Sequence, residues 1–284
     1  MKIAILTRDS LYSHLVIEPL IRTFQEEIAL ICSSSGYGHK RQRLVPAALG
    51  ILRRSGFEFL AFLALYLLVY KFFILLNLLA NKVLGIRRKL FFLSELTRPY
   101  GIRIQKVLDI NSPSSRKMME GIQPDLIISI YFDQWVSSEV LKIPRLGCIN
   151  LHHAYLPEFA GPFPNFWALL MKRGRVGVTV HYMNEDLDAG DIIAQEEIKV
   201  AAADTVMSLD IQAHRIGTRL LIDVVERMKR GTIVAFPQDR ARRTYFSYPS
   251  KSEVAKFKDG GGKLFRFKDY LSCFFLKRPM LRMI

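Results

Sequence analysis

Gly147-Cys148-Ile149-Asn150-Leu151-His152 reads as a short, buried strand that ends on polar side chains. Side chains at i and i+2 of a strand point the same way, so Asn150 and His152 leave it together. One brings an amide donor, the other an imidazole able to give or take a proton near neutral pH. Open α/β sheets place their chemistry beyond the carboxyl ends of the strands, and this pair falls at such an end. Ala154-Tyr155-Leu156-Pro157 and Gly161-Pro162-Phe163-Pro164 follow, too rich in Pro and Gly for helix or strand, and read as a fixed loop over the site. A second apolar strand, 176–182, leads into Asn184-Glu185-Asp186-Leu187-Asp188-Ala189-Gly190-Asp191, an acidic turn that can swing a carboxylate back toward His152. Singly, an Asn-x-His at a strand end is more often structural than catalytic, and clustered acids usually make a solvated turn. The joint order of the pieces carries the reading.

Upstream, Lys2 to Thr7, a helix of roughly Leu15 to Glu26 and Ile28 to Cys32 form a strand–helix–strand opening, as in a parallel α/β sheet. No Gly-x-Gly-x-x-Gly follows the first strand, so a dinucleotide cofactor is not indicated. Gly101 to Val107 is a further strand, Ser112 to Glu120 a candidate helix, and Pro124 to Tyr131 a nearly continuous apolar strand of the buried parallel type. Beyond the acidic turn, Ala203-Asp204-Thr205 caps a helix running to about Lys229, and Gly231 ends it.

At 284 residues the chain is one sizeable domain or one with an appendage. Cys32, Cys148 and Cys273 lie far apart, which argues against a disulfide framework or zinc site and for a reducing compartment. The first residues are too short in apolar run for a signal peptide and read as a strand. A net charge of +15 points to polyanionic company. The basic loop Ser33 to Arg43 could clasp a phosphate or tRNA, or be a solvated surface.

Phe57 to Leu84 is anomalous: Phe59 to Tyr70 carries no charge, Lys71 interrupts once, and apolar character resumes to Leu79. The length approaches the ~20 residues that cross a bilayer. One crossing, however, would put strands of a single sheet on opposite sides of a membrane. Arg53-Arg54 and Arg87-Arg88-Lys89 favour the same, cytoplasmic side, and Tyr66, Tyr70, Asn77 and Asn81 share a helical face. The stretch reads as a helix or short helical hairpin lying in the membrane interface, or else against a partner subunit. The tail Lys263 to Ile284 mixes six Lys/Arg and one Asp with apolar residues, a composition that suits anionic headgroups.

The words Gly147-Cys148-Ile149-Asn150-Leu151-His152, Leu156-Pro157, Gly161, Gly177-Val178-Thr179-Val180 and Leu187-Asp188-Ala189-Gly190-Asp191 together resemble the folate-dependent formyltransferases, which include methionyl-tRNA formyltransferase and glycinamide ribonucleotide formyltransferase. The likeness runs from about Gln123 to Gly231. It implies an α/β fold, a Rossmann-like, mostly parallel sheet with helices on both faces. Here that fold would carry a hydrophobic helical insertion at about 50–90 and a short basic tail. The catalytic domain would be 1–231, and 232–284 a linker and amphipathic tail.

By the same resemblance Asn150, His152 and Asp188 are catalytic; spacing alone does not choose Asp188 over Asp186 or Asp191. Phe132 and Gln134 stand where relatives line a pterin pocket, and Ala154, Tyr155, Leu156 and Pro157 where relatives touch the folate. Ala154 and Tyr155 depart from the family's Ser-Leu there, and Thr7-Arg8-Asp9-Ser10 replaces its Gly-Thr-Pro-like turn. The implied donor is 10-formyltetrahydrofolate, with no metal; His152, His153, His181 and Asp188 show no spacing that demands one.

The amine acceptor is then an amino sugar on a nucleotide or lipid carrier, or methionyl-tRNA. The tRNA-type enzymes continue into a β-barrel, for which the forty or so residues after the linker are too few. Two other readings stand beside this one: a formyltetrahydrofolate deformylase, which uses water and normally carries an amino-terminal regulatory domain, and a non-catalytic membrane-associated relative. The expected location is the cytoplasmic face of a membrane.

Overall fold

The computed structural model describes residues 1–35, 44–84 and 93–274. Most of the basic loop 33–43, Arg87-Arg88-Lys89 and the tail beyond Phe274 lie outside them, as do the side chains of Asn77 and Asn81. Among the described residues one sheet is formed from β1 (Ile3–Thr7), β2 (Ile28–Ser34), β3 (Arg103–Val107), β4 (Leu126–Ile130), β5 (Cys148–His152), β6 (Arg175–Tyr182) and β7 (Ile192–Lys199), in the order β3-β2-β1-β4-β5-β6-β7. The first five in that order run parallel; β6 and β7 are antiparallel. Every residue of β1 and β4 is buried, as central parallel strands covered on both faces must be.

The helices are α1 (Leu11–Phe24), α2 (Leu44–Leu84), α3 (Leu93–Thr97), α4 (Pro113–Ile122), α5 (Ser138–Leu141), α6 (Pro164–Leu170), α7 (Val206–Lys229), α8 (Lys251–Asp259) and α9 (Phe267–Phe274). Side-chain caps set several starts: Ser10 with Ser13 opens α1, Thr205 with Ser208 opens α7, and Ser250 with Glu253 opens α8. Helix α6 and strand β7 were not expected from the sequence. Pro164 sits at the first turn of α6, where its missing N–H costs nothing, and β7 mixes Gln195, Glu196 and Glu197 into an edge strand without clean alternation.

Strand alternation divides β5 between two cores. Cys148 packs with Leu6, Ile127 and α4, while Ile149 and Leu151 join the larger core under α1 and α7. A Cβ at Gly217 of α7 would lie 2.8 Å from Leu151 and 2.9 Å from Val178, so that helix seats directly on β5 and β6.

α2 is two helical pieces joined across a non-helical Gly56 (φ +85°), and the apolar stretch after it runs as one helix, without a hairpin among the described residues. Phe59, Phe62, Tyr66, Tyr70 and Ile74 are buried along its inner edge. The face expected to be polar therefore turns inward at Tyr66 and Tyr70. Its window Val45–Phe72 is long and apolar enough to cross a membrane. Yet β2 before it and β3 after it are hydrogen-bonded neighbours, and its inner edge is fastened to the domain.

The described part of the tail packs on the domain. Val206 and Met207 N–H donate to Lys263 and Leu264 carbonyls, and the Asp269 carboxylate accepts from Thr205 Oγ1 at 2.8 Å. Residues 263–270 are thus docked on the start of α7, with Tyr270 buried and Phe267 exposed.

Candidate active site

The register of β5 against β6 builds the site. Asn150 stands directly opposite His181, and His152 opposite Thr179, so all four share one face of the sheet. The Asn150 Nδ2 and His181 Nε2 atoms are 3.2 Å apart, and His181 Nδ1 lies 2.7 Å from the Tyr182 carbonyl. A carbonyl only accepts, so Nδ1 carries the His181 proton and Nε2 is an acceptor. Asn150 must then turn its NH2 toward His181, spending one of two amide hydrogens and keeping the other free. Burial pushes His181 down to about 4, against the pull of Asp188, so this neutral tautomer holds at physiological pH.

Of the three aspartates in the turn, Asp186 and Asp191 are exposed, whereas Asp188 is enclosed. Its Oδ1 is 3.7 Å from His152 Nδ1 and 3.9 Å from His181 Nε2, ion-pair rather than hydrogen-bond distances. The Gly161 N–H donates to its Oδ2 at 2.9 Å. Burial works to raise this carboxyl, but His152, His181, the Gly161 N–H and Arg243 together hold it below the usual carboxylate range. It is an anion facing two imidazoles.

Two flanking segments hold these groups. Thr179 Oγ1 donates to the Ala154 carbonyl at 2.7 Å and accepts from Leu156 N–H and Gln195 Nε2, pinning the chain just after His152. The stretch 232–250, expected as a linker, lies on the site: Gln238 Nε2 donates to the Asp188 and Gly190 carbonyls, and Arg243 to the Leu187 carbonyl. Ala160 bridges Tyr245. Gln238, Arg243, Gly161 and Thr179 were not singled out for these roles from the sequence, and His181 only as a conceivable metal ligand. The strand register alone would have indicated His181.

The remaining expected residues divide. Ala154, Leu156 and Pro157 form the buried rim beyond His152, with a cis Leu156–Pro157 peptide. Tyr155 lies over Gly177, its ring 5.8 Å from the Arg175 guanidinium. Phe132 is half-buried against the core that holds Cys148. Gln134 is turned inward: Nε2 donates to Ser34 Oγ and the Leu108 carbonyl, and Oε1 accepts from Ile110 N–H. Its amide therefore stitches loops together instead of facing the catalytic groups. An open crevice of about 470 Å³, lined by Ser138, Lys142, Asn184, Glu185 and Asp186, adjoins the acidic turn. Among the described residues no cluster of three or more His, Cys, Asp and Glu could hold a metal ion.

This geometry offers an amide N–H and an imidazole side by side, with a carboxylate behind the imidazole. Such a set stabilises negative charge on a carbonyl oxygen and moves a proton nearby.

The formyl transferase family matches residues 109–225. Methionyl-tRNA formyltransferase of Bacillus cytotoxicus is 34% identical over 157 residues, 55% of this chain and 50% of that protein. The chain spans about half the length of the curated relatives it matches. An N-formyltransferase from Helicobacter canadensis, solved with folinic acid and dTDP-3-aminofucose, superposes with a TM-score of 0.56 at 16% identity, covering 87% of this chain and 71% of that one. Phosphoribosylglycinamide formyltransferase of Streptococcus pneumoniae gives 0.54 at 17%, covering 80% and 98%. At those identities the likeness is one of fold.

Proposed function

We propose that this chain, whose residues 109–225 match the formyl transferase family, moves a formyl group from 10-formyltetrahydrofolate to a primary amine. The single observation that carries this reading is the spare Asn150 N–H beside His152, held by His181 and backed by Asp188. The donor supplies a formyl carbon and a nitrogen leaving group. Asn150 and His152 donate to the formyl oxygen as charge gathers there, the largest catalytic contribution available in such a site. Asp188 faces His152 Nδ1 at 3.7 Å and takes part in carrying a proton from the attacking amine toward the departing folate nitrogen. Phe132, Ala154, Leu156 and Pro157 border the donor, Tyr155 flanks them, and Gln134 supports the loop from behind.

The acceptor is an amino sugar on a nucleotide or lipid carrier, with methionyl-tRNA the second choice. The protein works at the cytoplasmic face of a membrane, with α2 toward anionic lipid. Purified protein given formyl-labelled folate and a panel of nucleotide amino sugars, methionyl-tRNA and water alone tests the reaction. Label should pass to an amine. Asn150→Ala, His152→Ala and Asp188→Ala should each lower transfer by about 10²–10³-fold without changing the circular dichroism spectrum. Formate release to water alone, or full turnover in all three variants, would overturn the assignment.

A further inference from the structure

The imidazole of His152 is not aimed by its own hydrogen bonds. Its Nδ1 stands 3.7 Å from Asp188 and its Nε2 stands 3.5 Å from the Phe159 carbonyl, both longer than an ordinary hydrogen bond. The direction of the ring therefore depends on how the backbone at the end of β5 is held. Pairing of His152 with Thr179 of β6 holds it on one side. The next residue, His153, turns the other way, toward α7.

His153 is the last ring of a stack. Its imidazole lies 3.6 Å from that of His214 in α7, centroid to centroid, at an interplanar angle of 26°. His214 lies 4.6 Å from Tyr12 at the start of α1, at 18°, and Tyr12 lies 4.9 Å from Tyr66 of α2, at 28°. Tyr66, Tyr12 and His214 are buried, and two bonds anchor them: Tyr66 Oη accepts from the Tyr12 N–H, and His214 Nδ1 donates to the Asp210 carbonyl at 2.6 Å. The Nε2 atoms of His153 and His214 are enclosed and have no hydrogen-bond partner among the described residues. An enclosed polar atom left so costs free energy, so a hydrogen bond from Nε2 is not what these positions supply; a flat ring is. Burial brings His214 to about 4 and, with His214 and His152 beside it, holds His153 well below the ordinary imidazole range. The closest pair in the stack thus meets as two uncharged rings.

Resting on the formyl-transfer reading above, we propose that His153 and His214 are positioning residues for His152, and that Tyr12 and Tyr66 carry the same support out to α2. Packed interiors transmit displacement, so the stack ties the place of α2 to the peptide that joins His152 to His153. Helix α2 then serves the reaction through its inner face, by propping the end of β5 so that the His152 imidazole meets the formyl oxygen.

The test uses the full chain with 10-formyltetrahydrofolate and the same panel of nucleotide amino sugars and methionyl-tRNA. His214→Ala, which removes a ring from the middle, should lower kcat by about 10²-fold, the scale of a misplaced catalytic group, with KM for the folate donor nearly unchanged. His214→Phe, which restores a flat ring without its hydrogen bond, should recover most of that loss. Tyr66→Leu, at the far end, should lower kcat at least about twofold, and adding it to His214→Ala should cost nothing more, because the stack is already broken. Side-chain NMR of ¹⁵N-histidine-labelled protein needs no substrate. The His152 ring should give one sharp signal in wild type and His214→Phe, and a broadened or doubled one in His214→Ala and Tyr66→Leu. Equal loss in His214→Phe and His214→Ala, full additivity in the double variant, or an unchanged His152 signal in His214→Ala overturns the proposal. Should His214→Ala fail to fold, wild-type kcat or an unchanged His152 signal in Tyr66→Leu overturns it as well. Wild-type protein that passes label to no amine would instead sink the formyl-transfer reading, while the His152 signal still decides whether the stack holds that ring.

Discussion

His181 decides which way Asn150 faces. Its proton is committed to the Tyr182 carbonyl, so its other nitrogen can only accept, and the amide turns accordingly. Replacing His181 with Phe keeps the ring buried but removes the acceptor. We expect kcat to fall by about 10²-fold, the cost of a displaced catalytic group, while KM for the folate donor stays nearly constant. His181→Gln, which restores an acceptor oxygen, should recover part of the loss. Equal damage to kcat and KM, or no rescue, would mean that His181 serves packing alone. Asn150 and His152 were legible in the sequence because strand periodicity puts them on one face. The choice of Asp188 over Asp186 and Asp191 was not legible from spacing: it depends on a backbone turn with φ +54° at Asp188, which no periodicity encodes. Gln134 shows the opposite limit, since a polar residue near the candidate site can be spent entirely on holding loops together.

At the scale of elements, the site depends on two segments that meet at Gly161. The backbone there has φ +95°, and a Cβ would stand 2.2 Å from the Phe246 carbonyl oxygen, in the segment that follows Gln238 and Arg243. Gly161→Ala should therefore push the two segments apart and withdraw the N–H that Asp188 accepts. The expected cost is about 1–3 kcal/mol of stability from the strained backbone, read by urea denaturation, with a larger loss in kcat than in KM. Unchanged stability and turnover would show that the clamp is incidental. The central parallel strands β1 and β4 were readable from their apolar runs. The clamp was not, because Pro237 to Tyr245 has no periodicity and acquires its role only by lying against the acidic turn. Helix α2 was legible as a long apolar helix, but which face it buries depends on the tyrosines that meet Asp9 and Tyr12.

For the whole molecule, burial keeps several titratable groups in forms that water would not favour. It lowers His181 and His214 to about 4 and, with its imidazole neighbours, depresses His153 as well. In the unfolded chain these imidazoles take up protons near 6.5. Between about 4 and 6.5 the unfolded state thus binds more protons at these sites, and stability rises with pH. Burial raises Asp210 to about 7 despite hydrogen bonds from Asn165 and Tyr12, so this carboxyl acts in the opposite sense from its ordinary 3.8 up to about 7. Three imidazoles outweigh one carboxyl. The unfolding midpoint should climb from about pH 4.5 to 6.5 and then dip slightly toward 7. In Asp210→Asn the dip should vanish. A midpoint that falls between pH 5 and 6.5 would contradict the burial of neutral imidazoles behind the site.

The proposed reaction turns on one carbonyl oxygen, and its environment can be observed directly. Isotope-edited infrared spectroscopy of 5-formyltetrahydrofolate carrying a ¹³C-formyl group, bound to the protein, reports how strongly that oxygen is hydrogen-bonded. We predict a carbonyl stretch shifted to lower frequency on binding to wild-type protein, with the shift largely lost in Asn150→Ala and His152→Ala. A bound formyl group whose stretch matches its value in an apolar solvent, or an identical shift in wild type and both variants, would contradict the account.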